Sequence, residues 1–104
     1  MNTLAKNNTK NNFLEFFNKN TELFELFEEV YLFGSTLKVN IIPNDVDVLL
    51  IFSTYNDRIL ESVKQIQIIF ETAFFIPLDL TILSSEELIE TNFLKKINGF
   101  IKLK

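Results

Sequence analysis

Residues 44–52 read NDVDVLLIF, with two aspartates at the mouth of one of the most apolar runs in the chain. A short apolar run rich in Val, Leu and Ile is a strand buried on both faces. A carboxylate, by contrast, is depleted in strands and costly to bury without a partner. Side chains alternate along a strand, so Asp45 and Asp47 project from one face, about 7 Å apart along the backbone. Val46, Val48, Leu50 and Phe52 take the other face, and Leu49 and Ile51 follow the aspartates on theirs. The strand therefore reads as buried on both sides beyond its first turn, with the two carboxylates at its mouth. The order helix, strand, turn, strand, helix, strand, helix around it points to an α/β domain.

The remaining elements fit around it. Residues 1–12 are rich in Asn and Lys and are expected to be a flexible lead-in, leaving 13–104 as a single domain. Phe13, Phe16, Phe17, Leu23, Phe24 and Phe27 recur at helical spacing, with a break expected at Asn18-Lys19-Asn20 and Thr21 capping a second turn. Such phenylalanines read as core; any left uncovered would be a docking patch. EVYLF, residues 29–33, is a strand closed by Gly34, and TLKVN after Gly34-Ser35 is a short helix or loop. A helix opens at Asn56-Asp57, with Ile59, Leu60, Val63, Ile66, Ile69 and Phe70 forming its apolar face. IPLDLTIL, residues 76–83, is a third strand. Ser84 and Glu87 form a capping box for a last helix running to about Ile97, where Lys95 and Lys96 suit the helix dipole and Gly99 releases the chain. The expected fold is a small sheet of mixed direction flanked by helices.

Asp79 repeats the anomaly of Asp45 and Asp47 inside the third strand. If the two strands are neighbours, the three carboxylates cluster, and they repel one another unless cations sit between them. Two Mg²⁺ ions roughly 4 Å apart in such a site organise in-line phosphoryl displacement. The chain has neither Cys nor His. Thiolate zinc sites, cysteine nucleophiles, imidazole ligands and the usual hydrolase triads are therefore excluded. Only oxygen ligands remain, which favours Mg²⁺ or Mn²⁺. A net charge of −4 argues against extended nucleic-acid binding. Apolar runs of about half a dozen residues fall far short of the roughly 20 that span a bilayer. No signal peptide is legible, so no membrane role and a cytoplasmic location are expected.

Each part has a plainer reading. Asp-x-Asp occurs by chance, and either residue could serve a turn after Pro43-Asn44. Asp79 could answer a backbone amide or a lysine. Gly-Ser is commonly an ordinary turn, although a glycine that ends a strand also lets a phosphate approach the backbone closely. Taken together, Gly34-Ser35, Asp45, Asp47 and Asp79 favour a functional cluster.

In combination LFGS (32–35), NDVDVLLIF (44–52) and PLDLTIL (77–83) resemble the DNA polymerase beta-type nucleotidyltransferase superfamily, specifically its minimal nucleotidyltransferase proteins. The likeness spans about residues 13–103, and SSEELIETNFLKKINGFIKL resembles the family's closing helix and tail. It implies a nucleotidyltransferase (DNA polymerase beta-like) fold and NTP-dependent, two-metal transfer of an NMP to a hydroxyl, with ATP favoured as donor. It further implies that Asp45 and Asp47 ligate both metals, that Asp79 ligates the metal activating the acceptor, and that Gly34 and Ser35 contact the β- and γ-phosphates. Many relatives carry an Arg-x-Arg-Gly-like segment after Gly-Ser; here Lys38 is its one cation, a point charge rather than a bidentate fork.

Larger relatives add a domain for the acceptor. Little chain follows the last helix here, so a small or partner-borne acceptor is expected. By analogy with minimal relatives, the leading expectation is an antitoxin that transfers AMP to a HEPN-type protein, the expected partner being that protein or a second copy of the chain in a homo-oligomer. The alternatives are an enzyme acting on a small antibiotic-like molecule and a module that neutralises its partner by contact alone.

Overall fold

A computed structural model describes residues 9–38 and 44–104. Lys38 is thus described while Val39 and Asn40 of the expected short element, like residues 1–8 of the lead-in, lie outside the described residues. Helix α1 (Thr9–Lys19) begins within the segment expected to be lead-in. It stops where the asparagines predict, and the Asn20 side chain donates to the Phe16 carbonyl at 2.8 Å. Thr21 does not cap a new α-helix; it starts a 3₁₀ turn, Thr21–Phe24.

Strand β1 (Glu29–Phe33) leads into a second 3₁₀ turn, Gly34–Leu37. Strand β2 (Val46–Phe52), helix α2 (Arg58–Phe74) and strand β3 (Leu78–Ser84) follow. The capping box forms as the sequence predicts. Ser84 Oγ accepts from the Glu87 amide at 3.1 Å, and Glu87 Oε1 accepts from the Ser84 amide at 2.9 Å. The last helix, however, is two: α3 (Ser85–Thr91) and α4 (Phe93–Lys96) meet at Asn92, which is left-handed with φ 57°. After Gly99 comes a short strand that the sequence did not announce, β4 (Phe100–Lys102).

The sheet order is β3-β2-β1-β4. β2 and β3 run parallel through α2, and β1 is antiparallel to both β2 and β4, so the sheet is mixed. Strand alternation divides its two faces. Val30, Leu32, Val46, Val48, Leu50 and Leu78 face α1 and α2 in the main core with Phe13, Phe17, Phe24, Phe27, Ile59, Ile66 and Phe70. Edge-on ring contacts lock the helices together, with Phe13 to Phe70 at 5.3 Å and Phe16 to Phe74 at 5.5 Å. The N-terminal phenylalanines are therefore core, not a docking patch. Tyr31, Leu49 and Ile51 face the other way and pack under Leu88, Phe93 and Leu94 of α3 and α4.

The predicted apolar face of α2 is too wide. Ile59, Ile66 and Phe70 are buried, whereas Leu60 is 57% exposed and Ile69 39%. The sheet meets only one side of the cylinder, and these two residues lie beyond it. Among the described residues, no helix is long and apolar enough to cross a membrane.

Candidate metal centre

Asp45 is the residue just before β2, and Asp47 is its second residue. The parallel register sets Asp47 beside Asp79, while the antiparallel register sets it beside Phe33 at the end of β1. The first strand's last residue and the starts of the other two therefore meet at one end of the sheet. Doubly wound folds place ligands at the carboxyl ends of parallel strands. Here the acidic cluster lies at the amino ends of β2 and β3, so it cannot be a crevice of that kind.

One carboxylate oxygen from each of Asp45, Asp47 and Asp79 lies within 4.8 Å of the other two. Asp45 and Asp47 are half-buried, and Asp79 is exposed. Packing withdraws Asp47 from water, and this pushes its pKa up to about 6; the charges of Asp45 and Asp79 and a hydrogen bond with Asp79 add to the effect. An acid held in this way needs either a proton or a cation. Three hard oxygen donors with no nitrogen or sulfur among them suit a cation such as Mg²⁺ or Mn²⁺.

Gly34 has φ +84°, a conformation that L side chains rarely adopt. A Cβ there would overlap Oδ2 of Asp47 and stand 3.1 Å from its Cγ. The glycine therefore does two things: it turns the chain out of β1, and it lets the backbone lie directly against the acidic cluster. Thr36 pins the following 3₁₀ turn into the interior at 2% exposure, and its hydroxyl has no partner among the described residues.

Gly34, Ser35 and Lys38 line a cavity of about 260 Å³ together with Phe33, Ile97 and Asn98. The six residues singled out in the sequence thus fall into two groups that meet at Gly34: the three carboxylates, of which Asp47 lies against it, and Gly34, Ser35 and Lys38, which line the cavity. Sequence reasoning missed Ile97 and Asn98. Their one signal was the Asn98-Gly99 pair, a turn dipeptide that says nothing about what the turn approaches. A larger cavity of about 460 Å³ is lined by Phe17, Asn18, Thr21, Glu22, Glu25, Leu103 and Lys104. Neither Gly34 nor any residue of the acidic cluster lines it, so size does not mark the site.

No family model, curated protein or solved structure matches the chain.

Proposed function

We propose that the protein is a metal-dependent nucleotidyltransferase with a DNA polymerase beta-like fold, moving an NMP from an NTP, with ATP favoured, to a hydroxyl. The observation that carries this reading is the convergence of Asp45, Asp47 and Asp79 within 4.8 Å, against a glycine with no room for a side chain.

Asp45 and Asp47 would hold both Mg²⁺ or Mn²⁺ ions, and Asp79 the one nearer the acceptor. Divalent cations at these carboxylates supply charge neutralisation for the phosphates and acidify the attacking hydroxyl. The chain's own groups position and accept. Ser35 and Lys38 bind phosphate oxygens, and Gly34, having no side chain, lets a phosphate approach the backbone closely. Asp79, the exposed carboxylate of the three, takes the proton from the acceptor hydroxyl. The acceptor oxygen bonds to the α-phosphorus, the bond to the bridging oxygen of the β-phosphate breaks, and pyrophosphate leaves. The products are a nucleotide ester and pyrophosphate. The rate comes from positioning and charge neutralisation, as in phosphoryl transfer generally.

The acceptor we propose is a protein hydroxyl on a HEPN-type partner, in the manner of a toxin–antitoxin pair. Incubation with α-labelled ATP, Mg²⁺ and the protein encoded beside this one tests both levels. Label on the partner supports the full reading. Label on a small molecule keeps the transferase and replaces the acceptor. No transfer to any acceptor by folded protein, with no nucleotide-dependent change in thermal stability, ends the proposal.

A further inference from the structure

The cavity beside Gly34 is built from two separate parts of the chain. Phe33, Gly34, Ser35 and Lys38 come from the end of β1 and its 3₁₀ turn; Ile97 and Asn98 come from the bend between α4 and β4. At about 260 Å³ it falls below the ~300 Å³ from which pockets for whole drug-sized ligands begin, so it takes a fragment of a ligand.

Its lining indicates which fragment. In a chain with 14 acidic residues, no carboxylate among the described residues lines this cavity. Its charged group is the Lys38 ammonium, which has no ion pair among the described residues. Ser35 and Asn98 add a hydroxyl and a carboxamide, both able to donate. An anion-favouring cavity thus abuts an acidic, cation-favouring cluster, with Gly34 shared between them. A ligand that satisfies both is an anion that itself chelates a cation, as a polyphosphate does.

The bend is also held in place. Gly99, at φ +88°, makes the turn, and pairing of Phe100 with Phe33 ties it to the end of β1. Asn98 is exposed and carries no protein hydrogen bond among the described residues, so its carboxamide is free for a ligand.

We infer that Asn98 is a ligand-contacting residue of this site, its carboxamide donating to the phosphate oxygens of the bound nucleotide from the C-terminal wall of the cavity. The inference rests on the nucleotidyltransferase reading and adds a residue and a wall to it.

Binding of the non-hydrolysable α,β-methylene ATP, with Mg²⁺, is measured on the full chain for wild type, Asn98→Ala, Asn98→Asp and Asn98→Gln. Adenosine serves as the phosphate-free comparison. Asn98→Ala is expected to weaken the analogue about tenfold, the worth of one hydrogen bond to a charged group. Asn98→Asp, close in shape but negative, weakens it further, and Asn98→Gln restores part of the loss. The melting temperature and the response to adenosine stay at wild-type values. Analogue binding within twofold of wild type for both Ala and Asp overturns the inference and leaves the transferase reading intact. Equal losses for adenosine and the analogue also overturn it, since the contact would then not be to phosphate. Folded wild type that binds neither ligand overturns both.

Discussion

Asp47 holds its proton well above the usual carboxylate range, and the sign of the consequence follows from linkage. With its pKa pushed up from 3.8 to about 6, the folded state binds more protons than the unfolded state between those values. Its contribution to stability is therefore full below about 3.8 and is lost as pH rises through about 6. In chelator, the melting temperature of the wild type should rise as pH is lowered from 7.5 to 5. Asp47→Asn removes the titration, so that slope should flatten, and at pH 7.5 the variant should melt level with wild type or above it. The same variant should lose nucleotidyl transfer and any stabilisation by Mg²⁺. A large drop in its metal-free melting temperature would make the carboxylate a structural element. Gly34 belongs to the same contact. Gly34→Ala meets both a left-handed backbone, costing about 1–2 kcal/mol, and the Asp47 carboxylate. Chemical denaturation should show at least that loss, and calorimetric titration should show weakened Mg²⁺ binding because Asp47 must move.

The outer edge of β3 is guarded at its first residue, Leu78, by the helix that precedes it. Odd-numbered residues of β3 turn their backbone groups towards β2, as the bond from the Val46 amide to the Pro77 carbonyl requires, so Leu78 turns outward. Its amide donates to Glu71 Oε2 at 2.8 Å, and its carbonyl accepts from Gln67 Nε2 at 2.9 Å. An unguarded edge is a template for pairing with other chains. Glu71→Ala should therefore cost about 1.5–3 kcal/mol in urea denaturation and promote association in light scattering, and Glu71→Gln should recover most of both. What was legible in the sequence follows the same local logic. The two faces of β2 could be read because burial alternates with period two, and the Ser84 cap because it is a contact between residues three apart. The adjacency of Asp47 and Asp79 could only be supposed, since strand pairing is non-local. The break at Asn92 was hidden because Asn suits both a polar helix face and the left-handed region. FIK, residues 100–102, is too short to show a strand's alternation. The exposed Leu60 and Ile69 misled because hydrophobic spacing specifies a stripe and not its width.

Across the whole molecule, one sheet face is covered by α1 and α2 and the other by the short pair α3 and α4, with the acidic cluster at the end of this second face. The net charge of −4 adds to the repulsion within the cluster. Cation binding to the folded chain alone should raise its stability by mass action, about 2.7 kcal/mol at a hundredfold excess over Kd. For a chain of 104 residues this corresponds to a rise on the order of 10 °C in melting temperature. Scanning calorimetry with Mg²⁺ or Mn²⁺, reversed by EDTA, checks this; a melting temperature indifferent to both ions would remove the metal from the account. The three-residue β4, finally, is held to the sheet through β1, where Tyr31 faces Lys102, and Leu103 donates to Val30 at 2.7 Å. So short an edge is the first part of a sheet to peel away, exchanging its amide protons with solvent long before the core does. Since Ile97 and Asn98 ride on the same stretch, each such excursion would unmake one wall of the cavity, so a ligand seated there would slow deuterium uptake at Leu103 without touching it.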